Sequence, residues 1–216
     1  MPFIDTIHYP DGSALHLWQQ SEGIDEMLDM FRRLDVPLPS GLDCCEKRVG
    51  EKLAEALLLH RIFGGGVTLG HSAEGAPVVN VEGVHISISH TCGWVGVARN
   101  DHHRIGFDIE QCSDRVLRVR ERFLNKNELQ EIPACDVQEN TLAWTAKEAI
   151  YKLYGGERGP SLCNDYAVGK CVQVINRGYI LRPAMAAPQR TFDLTVISQV
   201  MSGAVMSLAV ETKYLA

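Results

Sequence analysis

Two segments of this chain carry acidic and basic side chains at spacings that place them on common faces. Asp108 and Glu110 lie two residues apart in an alternating apolar segment, and residues two apart in a β-strand point to the same side. Trp144, Glu148 and Lys152 follow one another at four-residue intervals, which puts them on one face of a helix. If the strand and the helix meet, three carboxylates and a lysine would form a cage for a hard cation that holds a phosphate chain.

The composition of the chain argues against several classes of protein. It has 216 residues, 45% of them hydrophobic, and a net charge of -6, which suits a globular core and disfavours bulk nucleic-acid binding. No apolar run reaches the roughly 18 residues that a membrane span needs, and the first residues lack the basic leader and apolar core of a signal peptide. Seven cysteines without a CxxC spacing predict free thiols, so we expect a cytoplasmic protein.

The hydrophobic pattern predicts an α+β fold. Helical spacing covers 25–34, 42–63, 114–123, 126–132 and 139–154, and alternating segments predict strands at 15–18, 84–89, 94–99, 105–110, 167–175, 179–181, 192–197 and 204–210. Because short turns join the strands 84–89, 94–99 and 105–110, we expect them to form a meander. The order of helix, strands, helix and strands suggests two similar halves that divide near residues 99–104, although the sequence shows no clean internal repeat.

These segments resemble the signature of the 4'-phosphopantetheinyl transferases. That signature consists of Gly, an apolar residue, Asp, an apolar residue and Glu, followed later by an aromatic residue, a Lys-Glu pair and a second Lys. Other segments of this chain match the family in the same order, and the resemblance covers residues 71–155 well. The matching residues are Gly106, Asp108, Glu110, Trp144, Lys147, Glu148 and Lys152, preceded by Gly75-Ala76-Pro77 and Ser89-His90, with Arg122-Phe123 and Glu128 in between.

The resemblance implies a particular architecture. Long members of the superfamily, often called the surfactin-synthetase-activating type, have two homologous α+β halves in a pseudo-twofold arrangement with the cofactor at their interface. Each half is a small antiparallel sheet packed on a long helix. The length of this chain fits that branch, so we expect a monomer with an N-terminal half at residues 1–101 and a C-terminal half at residues 102–216.

The implied reaction moves 4'-phosphopantetheine from coenzyme A to a serine of an apo acyl or peptidyl carrier protein and releases 3',5'-ADP. The metal ligands implied are Asp108, Glu110 and Glu148, which suit Mg²⁺ and also Mn²⁺. Lys152 would contact a phosphate oxygen, and Glu148 could take the proton of the serine, directly or through water. Asp108, Glu148 and Lys152 are thus the expected catalytic residues, with Glu128 as an alternative base.

The resemblance also implies which residues bind coenzyme A. We expect Lys47 and Arg48 near its 3'-phosphate, and His90 at another of its phosphates. Two positive charges that the family often carries at the nucleotide end are missing, because Ala56 and Ala76 stand in their places. The complete expected set of coenzyme A contacts is Lys47, Arg48, Ser89, His90 and Lys152.

Three arginines follow the acidic strand. Arg115, Arg118 and Arg122 have the spacing i, i+3 and i+7, which is one face of a helix. Carrier proteins are usually acidic, so we predict that this arginine stripe docks the carrier beside the cage. The alternative is an ordinary solvated face.

Other functions stay open from the sequence. A catalytically idle relative that binds coenzyme A or a carrier protein would share most of these residues, and an unrelated metal-dependent phosphotransferase would share the carboxylates. Among individual side chains, we expect Trp144 to pack in the core. His102 and His103 lie in a polar turn, and we expect both to be solvated.

Overall fold

The computed structural model describes residues 3–154, 161–169, 173–175, 179–186, 194–201 and 203–215. Residues 170–172 of the predicted strand 167–175 and residues 192–193 of the predicted strand 192–197 lie outside this set. Within the described ranges, no helix combines the length and the apolar character needed to cross a membrane.

The N-terminal part of the chain forms a four-stranded antiparallel sheet covered by two helices. The strand order is β1-β2-β6-β5, and Trp18, Met27, Phe31, Leu53 and Leu57 fill the core between the sheet and the helices. The elements are β1 (Phe3–His8), β2 (Ala14–Gln19), α1 (Ile24–Leu34), α2 (Glu46–Phe63), β5 (His85–Thr91) and β6 (Trp94–Asn100), with a separate two-stranded sheet of β3 (Leu69–His71) and β4 (Pro77–Val79).

The C-terminal part forms a second antiparallel sheet in the order β7-β12-β11-β10-β8, with β9 paired to β10. The long helix α5 packs on this sheet through apolar residues such as Ala146, Ala149 and Ile150. The elements are β7 (Gly106–Gln111), α3 (Arg115–Val119), a 3-10 turn (Arg120–Arg122), α4 (Lys126–Glu131), α5 (Val137–Tyr154), β8 (Tyr166–Val168), β9 (Gln173–Ile175), β10 (Tyr179–Ala186), β11 (Leu194–Met201), β12 (Ala204–Glu211) and a 3-10 turn (Thr212–Tyr214).

The mixture of helices and antiparallel sheets confirms the α+β class, but the predicted meander is wrong. Strands β5 and β6 form a hairpin, whereas β7 belongs to the second sheet and pairs with β12, with Asp108 opposite Ser207. Short turns indicate that strands are close in the chain and do not identify their partners. The pseudo-twofold relation of the halves and their boundary stay predictions, although the orders β5-β6-β2 and β11-β12-β7 are alike.

The edge strands of the two sheets, β5 and β7, are joined by hydroxyl groups. Ser87 Oγ accepts a hydrogen bond from the Phe107 amide at 2.9 Å, and Thr91 Oγ1 accepts one from the Gln111 amide at 3.2 Å. Ser87, Ser89 and Thr91 alternate along β5, so all three side chains point toward β7. This contact places the Ser-His segment beside the acidic strand.

His103 lies in the segment that joins β6 to β7, and it is buried. This corrects the expectation that His103 is solvated. The side chain is 6% exposed, and its Nδ1 donates to the Arg104 carbonyl at 3.0 Å. Its Nε2 accepts from the Asn100 side-chain Nδ2 at 3.0 Å, and its ring stacks on Tyr214 at 3.9 Å between centroids. The stacking on Tyr214 holds this segment against the 3-10 turn Thr212–Tyr214.

A glycine at the start of β7 allows α5 to lie directly on the strand. A Cβ on Gly106 would overlap the Ala149 carbonyl oxygen and the Leu153 amide nitrogen, both of them backbone atoms of α5. We therefore expect Gly106→Ala to lower the free energy of unfolding by about 3 kcal/mol, the cost of overpacking a close contact. Urea denaturation measures this loss. Gly65→Ala is the control, because nothing lies within 4 Å of its added methyl group, and equal stability of the two variants would contradict this packing.

Candidate active site

Asp108 lies at the centre of the contact between β5, β7 and α5. Its side chain is buried, and Oδ1 accepts hydrogen bonds from Ser89 Oγ and from Lys152 Nζ, each at 2.7 Å. Lys152 also donates to the Ile88 carbonyl at 3.4 Å. The Asp108 carboxylate therefore holds Lys152 of α5 at the junction of the two sheets.

Glu110 follows Asp108 on the same side of β7. Its Oε1 accepts from Thr91 Oγ1 at 2.8 Å and from the Gln111 amide at 3.0 Å. Thr91 had no predicted role, although Ser87, Ser89 and Thr91 have the alternation of one strand face. Hydroxyl donors from β5 thus orient both acidic residues of β7.

Glu148 on α5 completes the acidic group. Burial raises the pKa of its carboxyl group, the nearby charges of Asp108 and Glu110 raise it further, and the Lys152 ammonium opposes them. Electrostatic coupling of this kind requires that the groups lie near one another. Glu148 therefore lies near enough to Asp108, Glu110 and Lys152 for their charges to act on it, and Lys152 contacts Asp108 directly.

The donor set suits a hard cation in its chemistry, since all three groups are carboxylates and a cation would relieve their mutual repulsion. The positions of the side chains are less regular. In the part of the chain that the structure describes, no cluster of three or more His, Cys, Asp or Glu side chains has the geometry of a metal site. Asp108 and Glu110 each direct one oxygen at a protein donor instead.

A second polar cluster joins α2 to the opposite side of β5, because His90 and Ser89 face opposite ways on that strand. Arg48 donates to His90 Nε2 at 2.6 Å and to Glu51 Oε2 at 3.0 Å. Lys47 lies 3.8 Å from Glu51. Burial lowers the pKa of His90 despite the opposing charge of Glu51, so its neutral ring can accept the hydrogen bond. Glu51 therefore pairs with Lys47 and Arg48, two of the predicted coenzyme A contacts. The sequence did not predict this role of Glu51.

One groove reaches Lys152, and a separate groove reaches Glu110. The first groove, about 280 Å³, includes Lys152 and His90 on its wall together with Glu55, His71, Glu74 and Tyr151. The second groove, about 500 Å³, includes Glu110 and Trp144 together with Arg115, Val116, Arg122 and Leu162. Because Lys152 pairs with Asp108 and Glu110 follows on the same strand, the carboxylates lie between the two grooves.

The predicted arginine stripe is only partly correct. The α-helix ends at Val119, and Arg122 lies in the 3-10 turn that follows, so the three arginines do not share one continuous α-helical face. Arg115 and Arg122 line the second groove, and Arg118 is exposed. Spacing alone did not predict the change of helix type.

Lys147, the first lysine of the Lys-Glu pair, is completely buried. Its Nζ donates to Glu128 Oε2 at 2.6 Å, to the Phe123 carbonyl at 2.7 Å and to the Leu162 carbonyl at 3.1 Å. Burial lowers the pKa of Lys147, and the Glu128 carboxylate opposes that shift. Glu128 also accepts from the amides of Asn125 and Val168. These three donors commit the Glu128 carboxylate to structure, which argues against its role as the alternative base.

Trp144 has both a packing role and an exposed edge. Its ring meets Phe123 edge to face, with 5.1 Å between centroids and an interplanar angle of 81°. The same side chain is half-buried and lines the second groove. The predicted core packing is therefore present, and the indole also forms part of the groove wall.

Residues 104–181, which contain the acidic group and Lys152, match the family model of the 4'-phosphopantetheinyl transferase superfamily. Similar curated proteins include the 4'-phosphopantetheinyl transferase gsp of Aneurinibacillus migulanus, at 32% identity over 85 residues, or 38% of this chain and 35% of that protein. The 4'-phosphopantetheinyl transferase Sfp of Bacillus subtilis (strain 168) is 35% identical over 75 residues, or 33% of each chain. The 4'-phosphopantetheinyl transferase psf-1 of Bacillus pumilus is 33% identical over 86 residues, or 38% of this chain and 36% of that protein.

These matches confirm the predicted similarity to the 4'-phosphopantetheinyl transferase superfamily, and the family model covers residues 104–181 of the 216. The similar segment spans about a third of the length of each curated relative, between 33% and 36%. The family model covers the segment that carries Asp108, Glu110, Glu148 and Lys152. The similarity therefore lies in the part of the chain that carries the candidate chemistry.

Proposed function

We propose that this protein transfers the 4'-phosphopantetheine group of coenzyme A to a serine of an apo acyl or peptidyl carrier protein. The serine oxygen forms a bond to the β-phosphorus, the bond from that phosphorus to the bridging oxygen breaks, and 3',5'-ADP leaves. The observation that carries this proposal is the meeting of Asp108, Glu148 and Lys152 between two grooves, within the segment that matches the family model.

The two grooves suit the two substrates. The second groove has an apolar wall flanked by arginines, which fits the surface of an acidic protein. The first groove then takes the nucleotide of coenzyme A. Lys152 lies on its wall and would balance charge on the reacting phosphates, because phosphoryl transfer depends on positioning and electrostatics.

Glu148 is the proposed proton acceptor for the serine hydroxyl. A base works best when its pKa lies near the operating pH, and burial together with two neighbouring carboxylates raises the pKa of Glu148 toward that range. Ser89 would hold Asp108 in place from β5. Lys47 and Arg48 add positive charge near the first groove, and the neutral His90 ring on its wall accepts a hydrogen bond from Arg48.

The proposed metal ligands are Asp108, Glu110 and Glu148. All three provide oxygen atoms, which Mg²⁺ prefers and Mn²⁺ also accepts. When bound, the ion would supply positive charge that offsets the charge of the pyrophosphate. The residues of the chain contribute the remaining charge through Lys152.

A carrier protein that docks on the second groove should depend on Arg115. We expect Arg115→Glu to raise the KM for the carrier about tenfold and to leave the KM for coenzyme A unchanged, because a reversed charge repels an acidic partner. The effect should shrink as salt increases. Steady-state kinetics with each substrate varied in turn tests this prediction. Arg33→Glu on α1 is the matched control, and equal carrier KM values for the two variants would show that the carrier docks elsewhere.

The state of the thiols supports a reducing compartment. Among the described residues, the free thiols are those of Cys44, Cys45, Cys92, Cys112, Cys135 and Cys163. We propose that the protein acts in the cytoplasm, as a monomer, where free thiols persist.

A second candidate function is binding of coenzyme A or a carrier without transfer. The observation that favours it is the pairing of Lys152 with Asp108, together with carboxylates that do not form a compact ligand set. A binding protein would tolerate that pairing, whereas an enzyme must share the lysine with a phosphate.

One assay separates the two candidates. The protein is incubated with coenzyme A, Mg²⁺ and an apo carrier protein, and the carrier is weighed by mass spectrometry. Transfer predicts that the carrier gains one phosphopantetheine group, and that a carrier with alanine at the acceptor serine gains nothing. Saturable coenzyme A binding without any gain in mass would instead establish the binding function.

A further inference from the structure

The first groove has two glutamates on its wall and no arginine among the residues that line it in the described chain. Glu55 and Glu74 face the groove together with His71, His90 and Lys152, and Lys152 is paired with Asp108. The hydrogen bond from Ser72 lowers the pKa of Glu74, as does the charge of Arg104, so Glu74 keeps its negative charge. A phosphate monoester, which carries nearly two charges at neutral pH, finds an unfavourable wall here.

Three basic side chains of α2 near this wall are already engaged. Arg48 donates to Glu51 at 3.0 Å and lies 2.6 Å from His90, and Lys47 lies 3.8 Å from the same glutamate. Lys52 donates to the carbonyl oxygens of residues 40 and 41 at 3.2 and 2.7 Å. A phosphate would have to draw these groups away from their partners.

Glu55 is the central acidic group of this region. It lies one turn after Glu51 on α2, half-buried. Burial raises the pKa of Glu55, the charges of Arg48, His71 and Lys52 lower it, and the charge of Glu51 raises it. The positive charges near Glu55 are thus offset by two carboxylates of the same helix.

We propose that this groove does not select for the 3'-phosphate of coenzyme A, and that Glu55 is the residue that sets this specificity. Building on the proposed function, the donor class extends to 3'-dephospho-coenzyme A. In that reaction the serine oxygen bonds to the same phosphorus, the proton passes to Glu148, and 5'-AMP leaves in place of 3',5'-ADP. Glu55 acts on the nucleotide and takes no part in the transfer itself.

The test compares the two donors in three proteins. Wild type, Glu55→Gln and the control Glu46→Gln, an exposed glutamate at the start of the same helix, are assayed with coenzyme A and with 3'-dephospho-coenzyme A. For wild type and the control we expect kcat/KM values for the two donors within about threefold of each other. Glu55→Gln should favour coenzyme A by a further factor of about five to ten, since removing one charge relieves repulsion of the 3'-phosphate.

A binding measurement keeps the proposal independent of transfer. Calorimetric dissociation constants for 3',5'-ADP and 5'-AMP should be similar in wild type, and Glu55→Gln should tighten 3',5'-ADP alone. A wild-type preference for the 3'-phosphorylated ligand above about tenfold, or an unchanged ratio in Glu55→Gln, would overturn the proposal. Failure of both donors to label the carrier would refute the proposed function, and the two binding ratios would still decide the role of Glu55.

Discussion

Glu148→Gln should lower the rate of phosphopantetheine transfer by about a thousandfold and leave the fold intact. A positioned proton acceptor contributes about a hundredfold to ten-thousandfold, and Glu148 is also a proposed metal ligand. Glutamine has the same shape and cannot take the proton. The rate is measured from the mass gain of the carrier over time. The control is Glu82→Gln, which changes an exposed glutamate in the segment before β5.

The thermal stability of the same variant distinguishes a chemical role from a structural one. Burial, Asp108 and Glu110 all raise the pKa of Glu148, which means that its ionised form destabilises the folded state above the pKa that it has in the unfolded chain. Glutamine removes that charge, so without added metal the Tm of Glu148→Gln should equal or exceed the wild-type Tm. A slow variant with a clearly lower Tm would indicate that the residue supports the fold instead.

Lys147→Met should lower the free energy of unfolding by about 3 to 5 kcal/mol, the loss expected when one partner of a buried ion pair is removed. Lys147 is 0% exposed and its ammonium has three oxygen partners. Methionine fills similar space but leaves Glu128 as a buried charge without its partner. Urea denaturation followed by circular dichroism measures the loss.

Two comparison variants test whether the pair itself is responsible. Lys126→Met on α4 removes an exposed lysine and should change stability by less than about 0.5 kcal/mol. The double variant Lys147→Met/Glu128→Gln should recover part of the stability, because it removes both charges together while the glutamine carbonyl oxygen can still accept from a backbone amide. If the double variant is as unstable as the single one, the unpaired buried charge of Glu128 is not the cause of the lost stability.

The acidic and basic residues of the site could be predicted because their spacing is local. Asp108 and Glu110 share a strand face, and Glu148 and Lys152 share a helix face, so two short segments were enough to define them. The signature did not show that Lys152 would pair with Asp108. Such a pairing depends on how α5 crosses β7, and that crossing is set by Gly106.

What the sequence could not predict are contacts between distant segments. The partner of β7 is β12, about a hundred residues later, and alternation within a strand carries no information about its partner. Glu51 lies at helical spacing from Lys47 and Arg48, which the sequence could show, but its contact with His90 joins α2 to β5 and no local spacing links those two residues. The burial of His103 depends on Tyr214 at the other end of the chain.

The end of the α-helix within the arginine stripe is a second feature that local spacing did not predict. The spacing of Arg115, Arg118 and Arg122 predicted one helical face, yet the α-helix ends at Val119. Arg120 donates to the Asn140 side chain and to the Ile132 carbonyl, which anchors the turn at that point. A tertiary contact thus overrides a local helical pattern and turns Arg122 to its observed place in the second groove.

Binding of Mn²⁺ in the presence of coenzyme A tests most directly whether Asp108, Glu110 and Glu148 form a single cation site beside Lys152. Titration followed by electron paramagnetic resonance should show one bound ion per wild-type chain. Asp108→Asn and Glu148→Gln should each weaken binding by about tenfold or more, and Glu82→Gln should bind as wild type does. Unchanged Mn²⁺ affinity in both site variants would contradict the cation site and the transfer mechanism proposed from it.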